Sequence, residues 1–355
     1  MTANRSLDPV LRFGILGCAN IARQFARDVA PSDAVRVVVA ASRNADTAAA
    51  FAQSQGIARH HGSYEALLAD TEVDAVYLPL PNSLHAEWAI RALERGKHVL
   101  CEKPLALGRA EAQAMFDAAR RGGAVLLESF PYRFQPQTGD LLALLDGGVI
   151  GAVRSVQACF GFTLANSQGN IRMQPELGGG ALLDAGSYPL SLIRLVMGCA
   201  PQTVRADATW ADTGVDVSMM ATLFYADGRR AQLSCTMDAA NHRRATIVGQ
   251  KGTIETEYLN HTSEQDGGHP CGYLPSQMRL RRGTANSVPF EDVRSAVGSG
   301  FRFTAEAFAR MAAGHDASTV ERAAQESLDN AATLEAIAQS ARQGRLVEVA
   351  RQQPA

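Results

Sequence analysis

Between residues 11 and 128, short apolar runs alternate with stretches of helical periodicity, and this alternation restricts the fold more than any other feature of the chain. The strand-like runs are 11–16, 35–41, 59–61, 75–78, 98–101 and 124–128. Helical spacing fills the intervals from 18 onward and over 45–55, 64–69, 84–95 and 107–121. Strands separated by helices imply a parallel sheet with right-handed crossovers. Ligands of such an open sheet gather at the carboxyl ends of its strands. The residues leaving each strand at that edge are therefore the first candidates for function.

The first strand ends in Gly17-Cys18-Ala19-Asn20-Ile21-Ala22. Set against a GxGxxG dinucleotide fingerprint, alanine takes the second and third glycine positions, which by itself is a weak signal. The order strand, tight turn, helix still offers free N–H groups to a pyrophosphate. Gly17, Ala19, Asn20 and Ile21 are the candidate cofactor contacts, with Ile21, Phe25 and Val29 sharing one helix face. The second strand ends in Ser42-Arg43-Asn44. An NAD site usually places an acid there for the ribose 2'-hydroxyl, whereas a 2'-phosphate needs donors and positive charge. Ser42 and Arg43 favour NADP, with NAD as the alternative, unless Arg43 is only a polar loop residue.

The fourth strand runs into Pro79-Leu80-Pro81-Asn82-Ser83, followed by His85. Two prolines stiffen this turn, and Asn82 offers both a donor and an acceptor to a nicotinamide ribose or carboxamide. Ser83 equally suits a helix N-cap, and His85 a position on the helix face. At the same edge the fifth strand ends in Leu100-Cys101-Glu102-Lys103-Pro104. Burial would lower the pKa of Lys103 and make it a proton-transfer candidate, while Glu102 would favour its charged form. Pro104 restricts Lys103 to extended geometry, and X-Pro is the one bond where a cis peptide is cheap. An isolated Glu-Lys-Pro also suits an exposed turn.

Beyond Glu128 the pattern changes. An aromatic, proline-rich stretch, Ser129-Phe130-Pro131-Tyr132-Arg133-Phe134-Gln135-Pro136, marks a crossing between units 1–130 and 131–345. A helix over 138–145 and a strand over 152–160 follow. After Gly178-Gly179-Gly180 a helix over 181–197 places Asp184 and Tyr188 four residues apart. Such a pair shares a face at about 5 to 6 Å between Cβ atoms. A phenol beside a carboxylate can give or take a proton; spacing alone equally suits a core tyrosine. Runs at 203–210, 215–225, 230–236, 244–249 and 252–257, joined by short turns, imply an open, mostly antiparallel sheet. The polar segment 260–299 receives no assignment, and helices over 301–313 and 321–343 close the pattern.

At 355 residues, 46% hydrophobic and 20% charged, the chain suits two globular domains, and a net charge of -2 argues against a nucleic-acid or membrane-surface partner. Residues 1–9 lack a signal-peptide core, and no run is long and uncharged enough to span a bilayer. The six cysteines include no CxxC pair, which suits reduced thiols in a cytoplasm. His60-His61 and the pair His261 and His269 lack partnered ligands, so no metal is assigned.

Taken in order, Gly17-Cys18-Ala19-Asn20-Ile21-Ala22, Pro79-Leu80-Pro81-Asn82-Ser83-Leu84-His85 and Cys101-Glu102-Lys103-Pro104 resemble the Gfo/Idh/MocA family of NAD(P)-dependent oxidoreductases. Glu128-Ser129-Phe130-Pro131-Tyr132-Arg133 and the stretch from Asn170-Ile171-Arg172 to Tyr188 are similar to its branch of dihydrodiol dehydrogenases, NADP-dependent xylose dehydrogenases and anhydrofructose reductases. The resemblance implies an α/β chain, with an N-terminal Rossmann doubly wound parallel sheet and a C-terminal α+β domain whose open, mostly antiparallel sheet serves as a subunit interface. A homodimer or homotetramer follows from that. Pro131 stands where the family pattern has methionine. The family pattern makes Lys103 the essential lysine at the nicotinamide and puts Asp184 and Tyr188 on the substrate side. It leaves open whether Lys103 or Tyr188 transfers the proton.

The expected function is hydride transfer between NADP and a CH–OH or C=O group of a sugar, polyol or cyclic diol. Pro79, Asn82, His85, Glu102 and Lys103 are grouped with the cofactor contacts. Arg133 and Arg172 are weaker substrate candidates, or partners of carboxylates at the domain junction. Two rival readings are a non-catalytic NADP-binding sensor and a redox-assisted glycoside-processing enzyme with tightly bound cofactor. Retention of Lys103, Asp184 and Tyr188 together argues against the sensor, and Ser42-Arg43 suits an exchangeable NADP.

Overall fold

A computed structural model describes residues 10–350 apart from 266–268 and 271. The stretch 1–9 and Cys271, both weighed in the sequence, lie outside the described residues. Six strands build the first sheet: β1 (Leu11–Leu16), β2 (Val35–Ala41), β3 (Arg59–His61), β4 (Ala75–Leu78), β5 (His98–Glu102) and β6 (Leu126–Ser129). Their order is β3-β2-β1-β4-β5-β6, and every pair is parallel. The strand order reverses between β1 and β4, which opens a crevice at their carboxyl ends.

Five crossover helices connect these strands: α1 (Asn20–Val29), α2 (Ala45–Gln55), α3 (Tyr64–Ala69), α4 (His85–Leu93) and α5 (Arg109–Gly122). Their ends follow local chemistry. The Asn44 side chain caps α2 by accepting the Thr47 N–H, Ser63 does the same for α3 at Ala66, and Gly56 ends α2 in the left-handed region. In α1 the buried face consists of Ala22, Phe25, Ala26 and Val29. Ile21, expected to share that face, is instead 36% exposed. It lies in the first turn, where the helix emerges at the crevice rather than over the sheet.

Side chains alternate through the sheet into two apolar layers. On one side Phe13, Phe25 and Tyr77 pack together, with the Phe25 and Tyr77 rings stacked at 3.8 Å. On the other side Leu67, Trp88 and Met115 fill the layer. Late residues complete both layers. The helix α8 (Gly300–Ala312) inserts Phe301, Ala305 and Phe308 beside Phe13 and Phe25. The helix α9 (Ala317–Gln343) gives Leu328 and Ala331 to the opposite layer and Leu334 and Ile337 to the second core. Each fully buried large apolar side chain contributes about 1.5–3 kcal/mol, so α9 couples the two units.

The second unit opens with α6 (Pro136–Asp146) and is built on a nine-stranded sheet. Its strands are β7 (Val153–Thr163), β8 (Thr203–Trp210), β9 (Asp216–Phe224), β10 (Arg230–Thr236), β11 (Asp238–Gly249), β12 (Gly252–Thr256), β13 (Met278–Arg282), β14 (Glu291–Asp292) and β15 (Val347–Glu348). All pairings are antiparallel except β7 with β10. The run read as 244–249 is the regular half of a longer strand. Between Asp238 and His242 its register against β7 shifts, which hides the alternation in sequence. The unassigned segment 260–299 supplies β13 and β14.

One face of this sheet lies under α7 (Ser187–Met197) and α9. The other face carries Gln157, Cys159, Met220, Thr222, Gln232 and Ser234 and is uncovered. The helix expected over 181–197 is divided, because Leu182–Gly186 forms a wider π turn before α7 begins. Pro189, in the first turn of α7, has no N–H to give the Ala185 carbonyl four residues back. The Asp184 carbonyl accepts from Lys103 Nζ at 2.9 Å and Ser187 Oγ at 3.2 Å.

Candidate active site

The crevice begins at Gly17, whose φ is +118°. A Cβ there would lie 2.7 Å from Leu80 Cδ2, so both the backbone conformation and the close approach of the next loop require glycine. Beyond it α1 starts with Ala19 as N-cap, no side-chain cap and no acid in the first turn. The helix thus presents uncapped N–H groups and the positive end of its dipole to the crevice, which suits a pyrophosphate. At the end of β2, Ser42 is half-buried and its Oγ accepts the Asn44 N–H at 3.3 Å. Arg43 is exposed beside Tyr64, whose phenol burial pushes up and Arg43 partly relieves. No acidic side chain stands at this strand end, so the donor set fits a 2'-phosphate.

The loop after β4 is bound inward. Asn82 Nδ2 donates to the Gly178 carbonyl at 2.8 Å, clamping the crevice to the second unit. His85 is fully buried, and its ring nitrogens each lie 2.9 Å from a carbonyl oxygen, Leu80 on one side and Pro104 on the other. Burial pushes its pKa down, and a neutral imidazole donates to only one carbonyl at a time. Where the sequence suggested a cofactor contact, the ring instead ties the Pro79–Pro81 loop to the Pro104 loop, because α4 begins directly beneath both.

Glu102 also turns inward. Its Oε1 accepts from Tyr77 Oη at 2.7 Å and its Oε2 from the Lys103 N–H at 3.4 Å; burial pushes its pKa up. Its side chain secures the strand end on which Lys103 sits. The Lys103–Pro104 peptide is cis. Lys103 Nζ reaches across to the second unit and donates to both the Asp184 carbonyl and Asp184 Oδ1, each at 2.9 Å. The other carboxylate oxygen, Oδ2, accepts from Arg172 Nε at 2.5 Å.

This geometry reverses one expectation. Burial acts to lower the pKa of Lys103, but Asp184 outweighs it and the net shift is upward. Burial likewise acts to raise Asp184, yet Lys103 and Arg172 bring it down to about 2. The pair is an ammonium and a carboxylate throughout the neutral range. In this state Lys103 is a hydrogen-bond donor, and among the described residues two of its three N–H bonds have partners, both on Asp184.

Tyr188 opens α7 and is buried between Phe130 and Phe160, each with ring centroids 5.5 Å away and edge-on. Lys103 Nζ sits 5.0 Å from its ring centre. Burial raises its phenol, an effect that Lys103 partly counters. Tyr188 and Asp184 make no hydrogen bond to each other, and Lys103 is the group both reach. The partner of the Tyr188 hydroxyl is Asn260, whose Nδ2 donates to it at 3.1 Å. Arg243 lies 4.4 Å above the Tyr188 ring and 4.5 Å from that of Tyr258. Neither Asn260 nor Arg243 was visible in the sequence: one follows β12 in the unassigned segment, the other sits where β11 changes register.

Of the two arginines singled out, Arg172 joins the cluster through Asp184. Arg133 does not: it pairs with Glu326 on α9 at 3.2 Å, at the junction of the two units. Among the described residues no group of three or more His, Cys, Asp or Glu side chains is placed to hold a metal ion. No helix among them is long and apolar enough to cross a membrane.

A doubly wound sheet with an anion-accepting glycine turn, joined to a second sheet that delivers a tyrosine and an aspartate to a crevice lysine, defines a two-domain dinucleotide-dependent oxidoreductase. Residues 11–130 match the family described as "Oxidoreductase family, NAD-binding Rossmann fold", and residues 140–255 match the GFO/IDH/MocA C-terminal domain. The chain belongs to the Gfo/Idh/MocA family. It is 34% identical over 339 residues to D-xylose 1-dehydrogenase (NADP(+)) 2 of Haloferax volcanii, covering 96% of this chain and 100% of that protein. It is 35% identical over 303 residues to trans-1,2-dihydrobenzene-1,2-diol dehydrogenase of Danio rerio, covering 82% and 90%. Among solved structures it resembles the 3-ketoreductase KijD10 of Actinomadura kijaniata in complex with NADP and TDP-benzene, with a TM-score of 0.82 and 32% identity over 94% of this chain and 98% of that one.

Proposed function

We propose that this protein is an NADP-dependent oxidoreductase acting on a CH–OH or C=O group of a sugar, polyol or cyclic diol. The observation that carries the reading is the convergence of the Lys103 ammonium and the Tyr188 phenol, from opposite units, at the mouth of a dinucleotide crevice. The bound dinucleotide supplies or accepts the hydride. The uncapped start of α1, with Gly17, Ala19, Asn20 and Ile21, seats the pyrophosphate. Ser42 and Arg43 take the 2'-phosphate, and the relatives named with NADP support that choice. Pro79 and Asn82 line the nicotinamide side, with Glu102 and His85 holding the strand end and loops in place.

The third N–H of Lys103 binds the reacting oxygen and polarises it. Tyr188 exchanges the proton with that oxygen, since Lys103 is held in its charged form. Arg172 and Asp184 border the same space and bind a neighbouring hydroxyl. Arg133 is left to its junction pair with Glu326.

The uncovered face of the second sheet, where Met220 is 67% exposed, supports a homodimer or homotetramer built on that face. The free thiols of the five described cysteines suit a reducing, cytoplasmic compartment.

The test is reduced-nicotinamide absorbance on mixing the protein with NADP+ or NAD+ and a panel of aldoses, inositols and cyclic diols, alongside Lys103→Met. A rise with NADP+ that disappears in the variant is the expected result. Tight NADPH binding with no turnover across the panel would instead favour a sensor.

A further inference from the structure

A phenol can donate or accept, so naming Tyr188 as the proton-transfer group leaves its direction open. The donors around it decide the matter. A guanidinium has only N–H donors. Arg243 Nη2 lies 3.1 Å from the Asn260 amide, so the amide atom facing it is the oxygen, Oδ1. The opposite end, Nδ2, then faces Tyr188 Oη at 3.1 Å and can only donate. Tyr188 Oη is an acceptor on this side, and its own O–H points elsewhere. Among the described residues no acceptor takes that O–H.

Both positioning groups are held in place. Arg243 is enclosed by the rings of Tyr132, Phe160, Tyr188 and Tyr258 at 4.4 to 5.7 Å. The Asn260 carbonyl accepts from Gln135 Nε2 at 2.7 Å and from the Gly300 N–H at 3.1 Å. A Cβ on residue 300 would lie 2.2 Å from that carbonyl, so glycine is required for the approach.

We propose that Arg243 and Asn260 are a positioning pair that sets the polarity of Tyr188: they make its oxygen an acceptor inward and thereby present its O–H to the reacting substrate oxygen. The inference rests on the oxidoreductase reading and deepens it. In the reductive direction the carbonyl carbon gains a hydride from the dinucleotide, and the electron pair of the C=O π bond moves to oxygen. The phenol O–H bond breaks as a new O–H bond forms on that oxygen. The electron pair left on Oη is held by the Asn260 N–H, with the Arg243 charge behind it. Oxidation runs the same path in reverse and needs Tyr188 as phenolate.

Asn260→Asp separates this from a structural role. The aspartate still accepts from Arg243 and keeps the shape, but it turns an acceptor toward Tyr188 and captures its O–H. We expect unchanged thermal stability and NADPH binding, KM within a few fold, and a fall in kcat of about 10²-fold or more, the scale of a lost general acid. Asn260→Ala is the second variant, removing the donor without adding an acceptor. To read Tyr188 independently of turnover, a fluorinated tyrosine at position 188 is titrated by its fluorine resonance. A hydrogen bond to a charged group corresponds to a shift of about one to two pH units, so the midpoint should rise by about one unit in both variants. An unmoved midpoint, or Asn260→Asp with parental kcat, overturns the proposal. A midpoint that moves while the parent protein turns over no substrate would refute the oxidoreductase reading alone and leave the polarity assignment standing.

Discussion

Glu128, at the end of β6, links the pH dependence of stability to the lysine loop. Its carboxyl is buried and accepts the Leu105 N–H at 2.9 Å, two residues beyond Lys103. Burial lifts its pKa from 4.5 to about 7; the Ser327 hydroxyl and the Leu105 N–H only partly counter this. Around it stand Lys103 and Glu102 from the neighbouring strand end, and Arg133 and Glu326 beside the small cavity it lines.

Because the folded pKa is raised, the folded protein keeps a proton that the unfolded chain has lost. The stabilisation is complete below about pH 4.5 and is lost as pH rises through about 7. At 1.36 kcal/mol per unit, the full shift corresponds to about 3 kcal/mol, of which about 2 to 3 kcal/mol falls between roughly pH 5 and 8. Glu128→Gln keeps the acceptor for Leu105 and the side-chain volume but never ionises. Urea unfolding of parent and variant at those two pH values should show the stability difference moving by that amount in favour of the glutamine variant as pH rises. A difference that is constant with pH, or that moves the other way, would refute the reasoning.

Three further outcomes follow from the crevice. Gly17→Val places a branched side chain against Leu80 at a φ of +118°, so NADPH titration by fluorescence should find binding lost while the fold persists. Arg43→Glu should cut the preference for NADP over NAD about tenfold to a hundredfold, the scale of one or two charge-assisted hydrogen bonds; competition of the two dinucleotides measures it directly. Asp184, held at about 2 rather than 3.8, contributes stability that is present above pH 3.8 and lost as pH falls through about 2. Asp184→Asn should therefore lose most of its effect on thermal stability in acid, and at neutral pH it should cost about 3 kcal/mol by leaving Lys103 and Arg172 facing each other.

Several candidate site residues carry local signals. Gly17 announces itself by a strand-to-helix turn, Ser42-Arg43 by their place after β2, and Lys103 by a proline beside it. Asp184 and Tyr188 were visible as a pair, yet the sharing of one helix face was too simple: Asp184 lies in a π turn and Tyr188 in the helix that follows it. His85 and Glu102 were recognised as part of the motifs but not as inward-facing braces, since a one-dimensional pattern does not say to which side of a loop a side chain turns. Arg243 and Asn260 carried no signal, because one lies at a register shift and the other in a polar segment without periodicity.

The order of strands and helices, the parallel first sheet and the family itself were written in the sequence, because periodicity and turn chemistry depend on residues within a turn or two of each other. The chemistry of the crevice was not. Lys103 meets Asp184 across 81 residues, and Asn260 meets Tyr188 across 72. Whether burial or pairing wins at Lys103 depends on how closely the two units pack, and whether Tyr188 gives or takes a hydrogen bond depends on which end of an amide faces an arginine. Only the tertiary structure decides such matters, because electrostatic energy and hydrogen-bond polarity are set by distance in space and not by separation along the chain.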